Sequence, residues 1–262
     1  MAKPQQIELG DGTIIPILYE DRSVLAIDKP AGWLLAPKAW DRTGRNLQLA
    51  LESSLREGAF WARSRQLKFL RHVHRLDADT SGLLLLAKSA GALKALSELF
   101  ESRRVEKVYL AVVRGVPKAS VWSCDLALAP HRLTTGLMQV DQRRGKPAET
   151  QFRVLATRHD TALVAARPMT GRTHQIRVHL AVAGHPALND RLYGPEPEIF
   201  NLPGSALALR AVKLAYPDPF QKKLIRLEAP WDDFVRKHGF APAHVSLDRD
   251  WPDTTQSRLP NR

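Results

Sequence analysis

Residues 71–82 of the chain read RHVHRLDADTSG, the densest cluster of polar side chains with catalytic potential in the sequence. The pattern of residues 69–75 predicts a β-strand in which His72 and His74 share one face. Asp77 then lies on a loop beyond the strand end, and the Thr-Ser-Gly sequence after it predicts a turn. Because a sheet can hold such a carboxylate rigidly at a loop open to substrate, Asp77 is a candidate catalytic residue.

Two other interpretations of the same residues remain open at this point. In the first, the acidic side chains only cap and stabilise the turn, as Asp residues commonly do. In the second, the chain is a metal-dependent hydrolase whose imidazole and carboxylate groups bind the ion. The candidate ligands for that ion are His72, His74, Asp77, Asp79, His174, His179 and His185. The single cysteine, Cys124, and the lack of a tight acidic cluster argue against this metal site.

A second polar segment, residues 171–181, reads GRTHQIRVHLA. Its spacing predicts a helix over residues 173–183, with Ile176 and Leu180 on one face. Arg172 falls at the start of this helix, beside a glycine that allows a ligand or another backbone to come close. An arginine held there could pair bidentately with a carboxylate or a phosphate, or it could be an ordinary surface residue.

The composition indicates a folded protein with a sizeable core. The chain has 262 residues, of which 44% are hydrophobic and 25% charged. The longest apolar run, residues 83–87, is far shorter than the roughly 20 residues that a bilayer requires, so no membrane partner is expected. The first residues lack the apolar stretch of a secretion signal, and one cysteine allows no internal disulfide. We therefore expect a cytoplasmic protein.

The charge of the chain indicates a polyanionic partner. Lys and Arg number 39 against 27 Asp and Glu, for a net charge of +12. Such an excess favours nucleic acid through counterion release and long-range steering. Basic residues concentrate in residues 63–75, 103–118 and 143–146, which are candidate phosphate contacts. A basic surface without a specific role is the alternative.

The periodicity of the chain predicts an α+β fold. Predicted helices cover residues 45–56, 89–102, 173–183 and 231–238. Predicted strands cover residues 13–19, 24–28, 69–75, 83–88, 105–114, 150–157 and 161–167. Residues 206–216 and 222–228 are expected to pair as a final hairpin. Because strands and helices intermix without a strict βαβ rhythm, the pattern favours α+β over a doubly wound parallel sheet.

An ordered set of motifs resembles the RluA family of pseudouridine synthases. The motifs are HRLD (residues 74–77) with DTSGL (79–83), KVYLA (107–111) and GRTHQIRVHL (171–180), supported by YED (19–21), DKPAG (28–32), ETQF (149–152) and DRLYG (190–194). Together they extend over roughly residues 15–230. One four-residue motif would be weak evidence, but the full set in this order is highly specific.

The resemblance implies an isomerase that converts uridine to pseudouridine in ribosomal RNA, transfer RNA or both, without a metal or organic cofactor. It implies a mixed, largely antiparallel sheet flanked by helices and loops. The catalytic domain would cover residues 14–240, between an N-terminal extension, residues 1–13, and a flexible tail, residues 241–262. No separate N-terminal RNA-binding module is expected, and by analogy the protein is expected to be a monomer.

The resemblance also assigns roles to the catalytic groups. Asp77 matches the essential aspartate, which either attacks as a nucleophile or removes a proton from C2′ of the ribose; the sequence leaves both paths open. Arg172 matches the arginine that pairs with this carboxylate and keeps it ionised. Tyr109 matches the tyrosine that stacks on the target base and assists proton removal late in the reaction.

Three further residues are implied to contact the RNA. Arg75 matches the arginine that occupies the position left by the extruded base, which offsets part of the cost of unstacking. Ile176 and Leu180 are expected to line the uracil pocket, although core packing alone would also explain them. Without the resemblance, Tyr109 would be interpreted as an ordinary core residue of a strand.

Overall fold

The computed structural model describes residues 3–35, 45–195, 206–247 and 251. The strands of this part are β1 (Gln6–Glu8), β2 (Ile14–Glu20), β3 (Val24–Lys29), β4 (Arg71–His72), β5 (Ser81–Ala87), β6 (Glu106–Arg114), β7 (Val121–Cys124), β8 (Leu128–Pro130), β9 (Met138–Val140), β10 (Thr150–Arg158), β11 (Thr161–Pro168), β12 (Leu209–Pro217) and β13 (Leu224–Glu228). The α-helices are α1 (Leu47–Arg56), α2 (Phe60–Arg63), α3 (Ala90–Glu101), α4 (Gln175–Val182) and α5 (Asp232–Lys237), and Pro242–His244 forms a 3₁₀ helix.

The chain forms two compact units, one of residues 1–106 and 211–229 and the other of residues 107–210 and 230–262. In the first unit the strand order is β1-β2-β3-β5-β12, with β4 beside β5 and β13 beside β12. The pairs β1–β2, β2–β3, β3–β5, β4–β5 and β12–β13 are all antiparallel. Strand β5 therefore lies inside the sheet and leads directly out of the loop that carries Asp77.

The core of the first unit explains the apolar run in β5. Residues 82–87 of this strand are all buried, because neighbouring strands and α3 cover it. Leu96 and Leu99 of α3 pack in the same cluster as Leu83 and Leu85. The helix begins where the Ser89 side chain accepts a hydrogen bond from the backbone of the first turn, which is a standard N-cap.

The second unit contains the strands β6-β11-β10-β7 in that order, with antiparallel pairs throughout, and a separate β8–β9 hairpin. Trp122 and Phe152 stack in its core with ring centroids 4.9 Å apart. On α4, Val178 packs against Leu128 and Ala148. This packing fixes the helix that follows the Arg172 segment.

Most of the predicted elements are confirmed, including the α+β class and the final hairpin, in which Lys213 pairs with Glu228. The strand predicted over residues 69–75 is wrong in extent, because only Arg71–His72 is a strand. The ladder ends where the His74 ring, at Nε2, accepts the backbone N–H of Leu85.

Other differences concern boundaries and short elements. Helix α4 begins at residue 175 rather than 173, since His174 has a left-handed backbone, with φ 55°. The short elements β1, α2, β7, β8 and β9 were not predicted from the sequence pattern. The described helices include none that is long and apolar enough to cross a membrane.

The predicted domain boundaries at residues 14 and 240 stay predictions. Strand β1 lies in the predicted N-terminal extension and pairs with β2. Much of the predicted flexible tail, residues 241–262, lies outside the described residues. Of its described part, Leu247 is buried and the Trp251 ring lies 4.9 Å from the Arg153 guanidinium.

Candidate active site

Asp77 lies on a tight loop between β4 and β5 of the first unit, where it is half-buried. The backbone N–H of Thr80 donates to the carbonyl oxygen of Asp77 at 3.1 Å, which closes the predicted turn. At the start of β5, Gly82 has φ 108°, and a Cβ there would overlap the Ala211 backbone. Only glycine fits this position, so the loop joins the sheet in one conformation.

A buried ammonium supports this loop from inside. Lys29, at the end of β3, has no exposed surface. Its Nζ donates to the carbonyl oxygens of Pro30 at 3.0 Å, Ala78 at 2.9 Å and Thr80 at 2.9 Å. These bonds use all three hydrogens of the ammonium. Lys29 therefore ties β3 to the residues on either side of Asp79.

The charge of Lys29 also interacts with the carboxylates of the loop. Burial lowers the pKa of Lys29 to about 7, and the carboxylates of Asp77 and Asp79 oppose that shift. The two loop carboxylates thus stabilise the buried ammonium. A basic residue followed by proline at the end of an apolar strand is the sequence signal that could have identified it.

Replacing Lys29 by Met is expected to lower the free energy of unfolding by about 2–4 kcal/mol, because it removes hydrogen bonds from buried carbonyl groups. The rate of the pseudouridine formation that the motifs imply should fall as well, since the loop of Asp77 loses its hydrogen bonds to Lys29. Urea titration and turnover assays test both effects. The matched control is the exposed Lys94→Met on α3, and equal behaviour of the two variants would contradict this role for Lys29.

The histidines before the loop are engaged in structural contacts. Nδ1 of His72 lies 2.9 Å from Oε1 of Gln48, and the ring of His74 stacks on Phe100 at 4.8 Å. Within the described ranges no group of three or more His, Cys, Asp or Glu residues is arranged to hold a metal ion. The ligands considered for the hydrolase interpretation are therefore not gathered around one point.

Arg172 lies in the second unit, on the loop between β11 and α4. Its Nε donates to the carbonyl oxygen of Pro147 at 3.0 Å, and its backbone N–H donates to Oε1 of Gln175 at 3.0 Å. The first bond anchors the guanidinium at its inner nitrogen. A planar guanidinium has the geometry that suits a carboxylate or phosphate.

Tyr109 lies on β6 of the second unit and is 9% exposed. Lys107, two residues earlier, shares its face of the strand. Nζ of Lys107 donates to the carbonyl oxygen of Thr170 at 3.5 Å, which places the start of β6 beside the Arg172 loop. Burial lowers the pKa of Lys107 to about 8.

The helix after Arg172 is held by a buried ion pair. Arg177 donates from Nε and Nη2 to the two carboxylate oxygens of Asp190, at 2.8 and 2.7 Å. The Tyr193 ring lies 5.2 Å from the guanidinium, and its hydroxyl oxygen lies 2.8 Å from Nδ1 of His174. The DRLYG motif thus fixes both the middle of α4 and the residue at its start.

The structure places the predicted residues in two groups. Asp77 and the exposed Arg75 belong to the first unit. The second unit contains Tyr109, Arg172, Ile176 and Leu180. Ile176 is 7% exposed and Leu180 is fully buried, so the structure describes core packing for both, and their contact with a base stays a prediction.

Lys29, Gln175 and the Arg177–Asp190 pair lie within the family motifs, but no role was predicted for them from the sequence. For the pair the available signal was an arginine between the apolar residues Ile176 and Val178 of a predicted helix, because a charge that becomes buried there requires a partner. For Gln175 the sequence offers no such signal, because glutamine is common on helix surfaces.

Comparison with known proteins gives one consistent result. The family described as RNA pseudouridylate synthase matches residues 23–182. "Ribosomal large subunit pseudouridine synthase C" of Escherichia coli O157:H7 is 38% identical over 228 residues, which are 84% of this chain and 68% of that protein. The protein of the same name from Yersinia pestis is 38% identical over 229 residues, covering 84% of this chain and 67% of its own length.

Two solved human structures are similar as well. Human RNA pseudouridylate synthase domain containing 1 matches with a TM-score of 0.64 and 26% identity, covering 82% of this chain and 83% of that one. Human RNA pseudouridylate synthase domain containing 4 matches with a TM-score of 0.65 and 25% identity, covering 82% and 87%. These matches confirm the fold that the motifs imply.

Proposed function

The chain belongs to the RluA family of RNA pseudouridine synthases, and on that basis we propose that it modifies uridine in large-subunit ribosomal RNA with Asp77 as the catalytic carboxylate. The family places it among the isomerases. The observation that carries the proposed site is the loop of Asp77, which a buried lysine holds to β3. The choice of RNA rests on the names of the bacterial relatives.

The reaction is an isomerisation within one nucleotide. The bond from uracil N1 to ribose C1′ breaks, and a new bond forms from C5 to C1′. The hydrogen at C5 leaves as a proton, and N1 gains one, so that product and substrate have the same composition. A carboxylate can serve as nucleophile at the sugar or as base at C2′, and either role requires its anionic form.

We propose that Arg172 supplies the cation that keeps the catalytic carboxylate ionised. The hydrogen bond of its Nε to Pro147 orients the planar guanidinium. An oriented guanidinium can pair bidentately with a carboxylate, which the ammonium of a lysine cannot do. Tyr109 is proposed to stack on the target base and to assist loss of the C5 proton. Its position on a buried strand would restrict the ring to few orientations.

Access to the base requires that the nucleotide leave its stack. We propose that Arg75, exposed beside the Asp77 loop, fills the position of the extruded uridine. The exchange offsets a few kcal/mol of unstacking. Ile176 and Leu180 are proposed to form the apolar wall of the uracil pocket.

The substrate proposal is tested with unmodified transcripts labelled with tritium at C5 of uridine. The wild-type protein is expected to release tritium to solvent from large-subunit ribosomal RNA and to leave small-subunit ribosomal RNA and transfer RNA labelled. Release from transfer RNA alone would replace the proposed substrate while keeping the reaction. No release from any of the three would contradict the proposed function.

The site of action follows from the substrate. We propose that the protein acts in the cytoplasm, where ribosomes are assembled. We also propose that it acts as a monomer. The proposal for the cytoplasm rests on the names of the bacterial relatives, which act on ribosomal RNA. Light scattering of the purified protein would give its mass, and a dimer mass would overturn the monomer proposal.

A further inference from the structure

We propose that Gln175 is a positioning residue for Arg172: its buried side-chain amide fixes the backbone that presents the Arg172 guanidinium. The inference rests on the proposed role of Arg172 in the reaction. Gln175 is not proposed to touch the base or the ribose and acts through its neighbour Arg172.

All hydrogen-bonding groups of the Gln175 side-chain amide have partners. These partners lie in the Arg172 loop and at the start of β10. Oε1 accepts from the hydroxyl of Thr170 at 2.6 Å and from the backbone N–H of Arg172 at 3.0 Å. Nε2 donates to the carbonyl oxygen of Glu149 at 2.8 Å and to Oγ1 of Thr150 at 2.9 Å. Two accepted and two donated bonds are the usual full capacity of such an amide.

These bonds join two segments that are distant in sequence. The oxygen of the amide holds both neighbours of Gly171, whereas its nitrogen holds the start of β10. The Arg172 side chain reaches back to the same region through its bond to Pro147. Gln175 therefore fixes the loop at the backbone, and the guanidinium is anchored on the segment to which the loop is tied.

The surrounding groups fix which way the amide faces. The backbone N–H of Glu149 donates to Oγ1 of Thr170 at 3.0 Å, which leaves the hydroxyl hydrogen of Thr170 for Oε1. Nε2 of His179 lies 3.0 Å from the carbonyl oxygen of Leu126 and must donate to it. Burial lowers the pKa of His179 to about 4, so Nδ1 of the neutral ring is an acceptor for the Thr150 hydroxyl. Thr150 thus accepts from Gln175, and a flipped amide would lose these bonds.

The chemistry of this network is specific to glutamine. A glutamate at position 175 keeps the shape but loses both donors, and it turns an oxygen toward the carbonyl of Glu149. A methionine keeps the length and loses all of the bonds. Both variants retain the Arg172 side chain but lose hydrogen bonds that hold its backbone. We therefore expect RNA binding to persist, while the guanidinium no longer has the position that the reaction requires.

The test compares Gln175→Glu and Gln175→Met in two backgrounds, wild type and Arg172→Ala, by tritium release from labelled RNA. In the wild-type background we expect kcat to fall about 10²-fold with KM changed less than about threefold, the effect of misplacing a catalytic group by about 1 Å. In the Arg172→Ala background the same changes should alter kcat less than about twofold, because the group they position is absent. Gln221→Glu, at an exposed turn, controls for charge.

The outcomes separate this inference from the proposed function. An inactive wild-type protein contradicts the proposed function itself. An active wild type with equal losses in both backgrounds contradicts positioning through Arg172 and leaves the reaction intact. If thermal unfolding shows that the Gln175 variants do not fold, Thr170→Val removes one of the bonds to Oε1. That variant should lower kcat about tenfold, and unchanged kcat would overturn the inference.

Discussion

Replacing Asp77 by Asn is expected to lower pseudouridine formation at least about 10³-fold, the scale of loss when a group that acts directly on the substrate is removed. The affinity for RNA should change less than about twofold, since phosphate contacts on the basic surface dominate it. Tritium release measures the first quantity, and filter binding at fixed salt measures the second. Asn keeps the shape of the side chain and the turn that the Asp77 backbone closes.

The matched control for this change lies in the same loop. Asp79 is exposed, and Asp79→Asn makes the same change of charge two residues away. Its activity should stay within about threefold of wild type, as for a surface substitution. An active Asp77→Asn variant would contradict the catalytic assignment, as would an equal loss in both variants.

Replacing Arg177 by Met is expected to lower the free energy of unfolding by about 3–5 kcal/mol, because Asp190 is left buried without its partner. The side chains of the pair are 3% and 0% exposed, so water cannot take the place of the arginine. Urea denaturation monitored by circular dichroism measures the change. The pair should therefore outweigh any surface ion pair of the described chain in its effect on stability.

The control for the ion pair is Arg236→Met on α5, where the arginine contacts Asp232 and Asp233 at the surface. Solvent screens such pairs, so the loss should be a small fraction of that for Arg177. The double variant Arg177→Met, Asp190→Leu should recover part of the stability, since no charge is left unpaired. Similar losses at Arg177 and Arg236 would contradict this account of α4.

Local sequence patterns predicted the helices and strands whose position is set by apolar periodicity and by the turns beside them. The final hairpin, α3 and the strands β6, β10 and β11 follow from apolar periodicity and turns. The strand over residues 69–75 failed because a side chain, His74, replaces a backbone acceptor for Leu85. Periodicity carries no information on such an exchange, since it reports burial and not hydrogen-bond partners.

The candidate site also has a part that the sequence indicated and a part that it did not. The motifs indicated Asp77, Tyr109 and Arg172 because residue type and order carry the chemistry. They did not indicate what holds these residues. Lys29 and Gln175 act through backbone carbonyl and amide groups of segments far away in sequence, and those partners become visible only when the chain is folded. Buried polar groups whose bonds are all made are thus the part that sequence patterns miss.

The proposed reaction is an isomerisation that keeps the nucleotide in the RNA chain. Nucleoside analysis of unmodified ribosomal and transfer RNA transcripts, after incubation with the protein in EDTA, tests this reaction. We expect pseudouridine in an amount equal to the uridine lost, with no free uracil. Free uracil with an abasic ribose, or unchanged uridine in every transcript, would contradict it.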